Sequence, residues 1–116
     1  MAKAKLIALQ LEDKPGAVAA VTGVLAEAGT NILSIFGSGP EGAVRILVDN
    51  PRKAMKALTA AGIAHTEAAA EMTELANKRG SLHAHLLKLA KKGVNLRSLN
   101  ATATKSGKKS LVIWSA

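Results

Sequence analysis

The chain of 116 residues contains an internal repeat with a constant offset of 64 positions, since 77 − 13 and 93 − 29 give the same value. Residues 13–18, Asp-Lys-Pro-Gly-Ala-Val, recur at 77–82 as Asn-Lys-Arg-Gly-Ser-Leu. Residues 25–34, Leu-Ala-Glu-Ala-Gly-Thr-Asn-Ile-Leu-Ser, recur at 89–98 as Leu-Ala-Lys-Lys-Gly-Val-Asn-Leu-Arg-Ser. The repeat predicts that one supersecondary unit occurs twice, which restricts the possible folds to those in which both copies have the same local structure.

Each copy of the repeat has the features of one helix. Asp13 and Asn77 are typical residues for capping a helix N-terminus, and Pro15 suits the first helical turn. Gly29 and Gly93 are typical residues just beyond a helix C-terminus. Between these landmarks, apolar residues recur at helical spacing: Val18, Val21, Leu25 and Ala28 in the first copy, and Leu82, Leu86 and Leu89 in the second.

The predicted helices lie between β-prone segments. Strands are expected over residues 6–11, 31–36 and 43–48, with a glycine-rich turn over 37–42. Asn50-Pro51 predicts a second helix over residues 52–61, ended by Gly62. In the second copy, a helix over 79–92 and strands over 94–104 and 109–115 are predicted, after which the sequence ends.

Residues 67–75 carry conflicting signals. Their sequence, Glu-Ala-Ala-Ala-Glu-Met-Thr-Glu-Leu, has a high intrinsic helix propensity. Residues 70–75, however, align with the predicted strand at 6–11 at the same offset of 64. Because tertiary context overrides local propensity, we predict that residues 64–76 form one long or broken strand.

Composition excludes several classes of protein. The absence of cysteine rules out disulfides and thiolate metal sites. The apolar run at residues 6–9 is too short for a signal peptide, and no run approaches the ~20 apolar residues of a membrane span, so we expect a cytoplasmic protein. The formal net charge is +8, and no acidic residue follows Glu74. This asymmetry indicates either an anionic partner or a solvated basic surface.

The sequence offers no convincing catalytic set. Its three histidines are His65, His83 and His85, and the last two are too closely spaced to share a helix face as a metal pair. His85 aligns with Val21 on the apolar side of the helix, so a partly buried histidine is expected there. The glycines at 37, 39 and 42 precede a predicted strand, unlike those of a dinucleotide-binding loop. We therefore expect a non-enzymatic protein without metal or cofactor.

The ordered set Asp-x-Pro-Gly-Ala, helix, Ala-Gly-x-Asn-Ile resembles the ACT domain. The resemblance is strongest over residues 6–63 and weaker over 72–114, where Arg79 stands in place of the proline. It implies an α+β, ferredoxin-like βαββαβ fold with helices on one face of an antiparallel sheet. It further implies a first ACT domain at residues 1–69 and a truncated second one, βαββ, at 70–116.

The resemblance also implies a ligand site at interfaces between ACT units, where the loop before the first helix faces the start of the next strand. The residues implied are Asp13, Lys14, Pro15, Gly16, Ala17, Asn31 and Ile32 in the first copy, and Asn77, Lys78, Arg79, Gly80, Ser81, Asn95 and Leu96 in the second. A helix N-terminus suits a ligand carboxylate, and Asp13 could accept from an ammonium group. Alternatively, Asp13 and Asn77 only cap helices, and Asn31 and Asn95 only fit the turn after a glycine.

Together these features predict a regulatory protein that senses an amino acid or a similar small molecule. The truncated second copy leaves an unpaired sheet edge, which predicts a homodimer. Two alternatives remain at this point: a subunit that docks on a separate metabolic enzyme, and a basic nucleic-acid-binding protein. The nucleic-acid-binding alternative is disfavoured because Phe36 and Trp114 are the only aromatic residues, which leaves few rings to stack on bases.

Overall fold

The computed structural model describes residues 2–38 and 42–116, which form two compact units, Lys5–Ala68 and Met1–Ala4 with Ala69–Ala116. The elements in chain order are β1 (Ala2–Gln10), α1 (Ala17–Glu27), β2 (Ile32–Ser38), β3 (Ala43–Val48), α2 (Pro51–Ala60), β4 (Thr66–Ala76), α3 (Ser81–Lys91), β5 (Ser98–Thr102) and β6 (Lys109–Ser115). Within the described ranges, no helix has the length and apolarity needed to cross a bilayer.

In the unit Lys5–Ala68, β3 lies between β2 and β1 and is antiparallel to both. The strands β1 and β2 therefore run parallel to each other, and their last residues lie at the same end of the sheet. The register confirms this arrangement, because Leu9 and Gly37 both pair with Val44. The first residue of β2, Ile32, pairs with Val48 instead. Val48 lies four residues after Val44, at the opposite end of β3 and about 13 Å away from it.

The helices α1 and α2 cover this unit's apolar core. Alternating residues of β1 and β3 meet the helical residues Val21, Leu25, Ala54 and Leu58. Leu25, Ile46 and Leu58 have no exposed surface. Burial of each such side chain contributes about 1.5–3 kcal/mol. α2 begins as predicted, since the Asn50 side chain accepts a hydrogen bond from the Lys53 N–H and Pro51 occupies the first turn.

In the unit that includes Ala69–Ala116, β6 lies between β4 and β5 and is antiparallel to both. Its core is smaller and consists of Leu89, Val112 and Trp114, with Leu75, Leu86, Val94 and Leu96 packed against it. Leu86 and Leu89 of the second repeat thus pack α3 against strands, as predicted, whereas Leu82 is 36% exposed.

The conflict over residues 70–75 is resolved in favour of the repeat, because β4 is one strand over Thr66–Ala76. The prediction of a strand over 94–104 was too long, since β5 spans Ser98–Thr102. Val94 and Leu96 are used to fill the core before pairing with β6 begins. The predicted turn at 37–42 includes residues 39–41, which lie outside the described residues, and β2 continues to Ser38.

Among the described residues of this second unit, two buried side-chain polar atoms lack a hydrogen-bond partner. His85 on α3 is half-buried, as its alignment with Val21 predicted, and Trp114 is 7% exposed. His85 Nε2 and the Trp114 indole N–H have no hydrogen-bond partner among the described residues. Burial lowers the pKa of His85 from its ordinary value of 6.5, and the positive charges of Lys88 and Lys92 act in the same direction.

This lowered pKa predicts an acid-sensitive unit. A histidine with a folded-state pKa below 6.5 contributes stability that is present above pH 6.5 and is lost as the pH falls through the folded-state pKa. We expect the free energy of unfolding of the wild type, measured by urea denaturation, to fall between about pH 7.5 and pH 5.5, above the range where most carboxyls titrate. His85→Gln should weaken this dependence, whereas His83→Gln, an exposed neighbour on the same helix, should not. Equal pH dependence in wild type and His85→Gln would contradict the assignment.

Candidate functional site

The loop between β1 and α1 is a tight turn that ends in a left-handed glycine. Its carbonyl and N–H groups are joined by short-range bonds, of which one runs from the Lys14 N–H to the Glu12 carbonyl at 2.9 Å. The helix opens at Gly16, with φ 86° and ψ −9°. No side chain caps this helix start within the described part of the chain. The prediction that Asp13 caps the helix was therefore wrong, and Pro15 precedes the helix rather than entering its first turn.

The second copy repeats this geometry closely. Gly80 opens α3 with φ 86° and ψ −11°, also without a side-chain cap among the described residues. The Lys78 N–H donates to the Ala76 carbonyl at 2.9 Å, which is the equivalent of the bond in the first loop. The glycines predicted to end the helices, Gly29 and Gly93, both have φ 77°. The 64-residue repeat is thus a repeat of backbone conformation.

Asn77 has a different role from the predicted cap. Its side-chain amide donates to the carbonyls of Thr104 at 2.9 Å and Gly107 at 2.8 Å. Its own backbone N–H donates to the Lys108 carbonyl at 3.0 Å. Asn77 therefore joins the loop before α3 to the turn between β5 and β6.

A cavity of about 420 Å³ lies beside the first loop. Its lining combines the loop with the first turn of α1 and the facing ends of β2 and β3: Leu11, Glu12, Asp13, Lys14, Ala17, Val18, Ile35, Phe36, Gly37, Gly42, Ala43 and Val44. Glu12 and Lys14 form an exposed ion pair at 3.0 Å between carboxylate and ammonium. Carboxylates and an ammonium group thus stand next to the uncapped helix start and to three apolar side chains, Val18, Ile35 and Phe36.

A smaller cavity of about 200 Å³ lies at the equivalent place in the second unit. Its lining residues are Ala76, Asn77, Lys78, Ser81, Leu82, Ala101, Thr102, Ala103 and Ser110. Six of them stand 64 positions after residues that line the first cavity. The chemistry differs, because Ala76 and Asn77 replace the two carboxylates Glu12 and Asp13.

The structure brings together some of the predicted site residues of the first copy. Asp13, Lys14 and Ala17 line the larger cavity, whereas Pro15 and Gly16 form the turn without lining it. Asn31 and Ile32 lie at the other end of β2, so the expected contact between loop and strand start does not occur within one unit. The Asn31 N–H donates to Asp49 Oδ1 at 3.0 Å, and Ile32 packs against the core.

The strand residues that do line this cavity, Ile35, Phe36 and Gly37, were missed from the sequence. The predicted strand–helix–strand order could have identified them. Such a crossover makes β1 and β2 parallel and so places the last residues of both strands together. In the second copy, Asn77, Lys78 and Ser81 line the smaller cavity, and Arg79 and Gly80 do not. Asn95 is exposed, and Leu96 packs into the core.

The larger cavity has the groups needed to hold a small zwitterion. Free N–H groups and the partial positive charge of a helix start attract a carboxylate, and Asp13 or Glu12 can accept hydrogen bonds from an ammonium group. In the described ranges, no group of three or more histidine, aspartate or glutamate side chains is arranged to hold a metal ion.

The sequence of the first unit matches a known family model. Residues 5–61 match the model of the ACT domain. The chain belongs to the ACT domain family. Its fold is the α+β, ferredoxin-like fold that the resemblance predicted, with strand–helix alternation and antiparallel sheet pairing. No curated protein sequence gives a significant match to the chain.

Solved structures resemble this ACT-family chain over nearly its whole length. Protein BT0572 from Bacteroides thetaiotaomicron is 27% identical with a TM-score of 0.88, and the match covers 97% of this chain and 78% of that one. The regulatory subunit of aspartate kinase from Thermus thermophilus is 21% identical with a TM-score of 0.68, covering 97% and 82%. The corresponding subunit from Thermus flavus is 21% identical with a TM-score of 0.65, covering 98% and 83%. The family match supports a ligand-binding regulatory role, and the likenesses at 21% identity show the shared fold alone.

Glycines at the helix starts and the glycine inside α1 predict opposite effects of substitution by alanine. At Gly16 and Gly80 an added Cβ meets nothing within 4 Å, so alanine introduces backbone strain without a clash. We expect Gly16→Ala and Gly80→Ala to lower the free energy of unfolding by about 1–2 kcal/mol each. Gly23 lies inside α1 and is equally unobstructed, so Gly23→Ala should raise it by about 1 kcal/mol. Denaturant titration measures all three, and a neutral or stabilising Gly16→Ala would contradict this account.

Proposed function

We propose that this ACT-family chain is a regulatory protein that binds an amino acid or a similar small effector in the cavity of about 420 Å³ beside the loop of residues 11–16. The observation that carries the proposal is the composition of this cavity. It combines carboxylates, a lysine, an uncapped helix start and apolar side chains. Its volume lies within the range of about 300–1,000 Å³ that is usual for small-molecule sites.

Each part of an amino acid has a matching group in this cavity. The ligand carboxylate is placed at the start of α1, and its ammonium group beside Asp13. Val18, Ile35 and Phe36 then face the ligand side chain, which favours an apolar or partly apolar effector. The Glu12–Lys14 ion pair at 3.0 Å is exposed and therefore weak, so either partner is available to a polar ligand group.

We further propose that the unit containing Ala69–Ala116 is a second ACT copy with a weaker site or none. The repeated φ and ψ angles at Gly80 support its relation to the first copy. Its cavity of about 200 Å³ is below the usual range for ligand sites, and no carboxylate lines it within the described part of the chain. A zwitterion is therefore expected to bind the first unit.

A homodimer through the edge formed by α1 and β2 would complete the site. β2 is the outermost strand and pairs with β3. Leu33 and Ile35 on this strand are 47% and 41% exposed, and Val18 on α1 is 45% exposed. The exposed part of α1 carries small residues, including Ala19, Gly23 and Ala26, and no charge before Glu27. A second copy can approach such a surface closely and bury it.

Two-fold symmetry would bring Asn31 to the ligand. When two β2 strands pair antiparallel about a two-fold axis, the start of one strand lies opposite the end of the other. Asn31 of one copy would then approach the cavity beside Ile35 and Phe36 of its partner. The exposed Asn31 side chain makes no hydrogen bond among the described residues and can offer both a donor and an acceptor.

The proposed role is regulatory rather than catalytic, with a separate metabolic enzyme as the target. Two of the similar structures are regulatory subunits of aspartate kinase, and at 21% identity they support this role through fold alone. Binding of the effector would act by favouring one arrangement of the subunits over another, which requires different affinities for the two states.

The proposed function predicts ligand-dependent stabilisation of the isolated chain. A thermal-shift screen of the twenty amino acids should identify at least one that raises the melting temperature, because a ligand at a hundredfold excess over its Kd adds about 2.7 kcal/mol of stability. Asp13→Asn should weaken binding of that amino acid by about tenfold or more, since a hydrogen bond to a charged group is lost.

Glu27→Gln is the matched control, because Glu27 is an exposed carboxylate at the far end of α1. It should bind the amino acid like the wild type in calorimetry. If none of the twenty amino acids stabilises the protein, or if Glu27→Gln weakens binding as much as Asp13→Asn, the proposed site is wrong.

The proposed dimer predicts unequal effects of two equivalent substitutions. Ile35→Lys places a charge in the α1–β2 edge and should convert the dimer to a monomer in analytical ultracentrifugation. Leu99 stands 64 positions later and is 44% exposed, close to the 41% of Ile35. Leu99→Lys should leave the dimer intact. A monomeric wild type, or dissociation by Leu99→Lys alone, would exclude this interface.

A further inference from the structure

The net charge of the protein is confined to one of its two units. The unit of Met1–Ala4 with Ala69–Ala116 has ten lysine or arginine residues and two carboxylates, Glu71 and Glu74, which gives +8. The unit Lys5–Ala68 has six basic and six acidic residues, which gives zero. The ten basic residues are Lys3, Lys78, Arg79, Lys88, Lys91, Lys92, Arg97, Lys105, Lys108 and Lys109.

None of these ten cations forms an ion pair within the described structure. All of them are exposed. The ion pairs of the described residues, Lys5–Glu67 and Lys14–Glu12, both belong to the neutral unit. A net charge concentrated in this way destabilises a compact unit by self-repulsion, and an anionic partner relieves the repulsion.

Exposed leucines stand among these cations. Leu82 and Leu87 on α3 are 36% and 45% exposed, and Leu99 on β5 is 44% exposed. β5 is an outermost strand, which pairs with β6. We use the name α3–β5 edge for the exposed residues Leu82, Leu87, Leu99, Lys88, Lys91 and Arg97, among which Lys91 follows Leu87 by one helical turn and Arg97 lies two residues before Leu99. It is the repeat equivalent of the α1–β2 edge, since Leu82 and Leu99 stand 64 positions after Val18 and Ile35.

Two differences between the equivalent edges make the α3–β5 edge unsuitable for a second copy of itself. Leu87 stands where α1 has Gly23, so close packing of two helices is obstructed. A two-fold contact would also bring Lys88, Lys91 and Arg97 of one copy against the same residues of the other. No acidic residue follows Glu74 to offset that repulsion. The occupant of this edge must bring negative charge of its own.

The leucines distinguish between anionic partners. Contacts to a nucleic-acid backbone use cations and leave exposed leucines unburied, and sequence-tolerant binding of single strands needs stacked aromatic rings. Trp114, the one aromatic residue of this unit, is 7% exposed and packs in the core. Protein interfaces combine apolar side chains with charged ones, and the α3–β5 edge offers both.

We infer that the α3–β5 edge is a docking surface for a protein that presents an apolar patch rimmed by carboxylates. The inference stands on charge and exposure alone, and depends on the proposed function only if that partner is the regulated enzyme. The two units then have separate tasks: the neutral unit holds the small effector and the second copy, and the cationic unit holds the acidic partner.

The experiment uses three labelled probes and the full chain. The first is a helical peptide with leucines along one face and glutamates elsewhere, the second is the same peptide with glutamine in place of leucine, and the third is a random duplex DNA of matched charge. Fluorescence anisotropy at physiological salt should show the leucine peptide binding about tenfold more tightly than its glutamine twin, and more tightly than the DNA.

Variants of exposed residues assign the binding to this edge. The pair Leu87→Ala with Leu99→Ala should abolish the preference for the leucine peptide, and the pair Lys88→Gln with Lys91→Gln should weaken both peptides severalfold. The control pair, Arg52→Gln with Lys56→Gln, removes two exposed cations from α2 of the neutral unit and should change neither.

Three results would overturn the inference: equal affinity for the two peptides, tighter binding of the DNA with no effect of the leucine substitutions, or equal weakening by the control pair. Amino-acid stabilisation is measured separately on the same variants. Failure of the wild type to bind the leucine peptide, with amino-acid stabilisation retained, would therefore refute this inference without touching the proposed function. Peptide binding without stabilisation by any amino acid would do the opposite.

Discussion

The tight reversal from strand to helix at a left-handed glycine is the constraint on which the rest of each unit depends. At Gly16 and again at Gly80 the backbone has φ 86°, a conformation that costs other residues about 1–2 kcal/mol. This turn sends the helix back over the sheet at once, so that the next strand can lie parallel to the first. It also leaves the helix start without a side-chain cap in the described structure, beside a cavity formed with the ends of the strands.

The same backbone carries different chemistry in the two units. The first loop has Glu12 and Asp13 where the second has Ala76 and Asn77, and the second uses its asparagine to join two loops rather than to face a ligand. The cavities differ in volume accordingly, about 420 Å³ against about 200 Å³. Two exposed apolar positions of the edges are equivalent, Val18 with Leu82 and Ile35 with Leu99, yet the charges around them are not. The proposed roles, an effector in one unit and a macromolecule on the other, are compatible with one duplicated backbone because backbone geometry and surface charge vary independently.

The predictions from sequence were most accurate where periodicity and the repeat agreed. The repeat correctly overruled helix propensity at residues 70–75, because pairing with β6 decides the conformation of that segment. Predictions that depended on a single side chain were less accurate. Asp13 and Asn77 have the residue types of helix caps, but each helix begins three residues later, at a glycine. The strand predicted over 94–104 begins at Ser98, since Val94 and Leu96 are needed in the core.

By itself, the sequence determined the fold family, the two-fold repetition, the loops that would carry a site and the excess of positive charge. These properties follow from local residue types and their spacing, which are visible along one chain. The tertiary structure alone decided which strand residues meet the loop, placing Ile35 and Phe36 there and Asn31 at the opposite end of β2. It also decided that every cation of the second unit is exposed. Contacts of this kind depend on strand direction and register, and these are set by the packing of segments far apart in the chain.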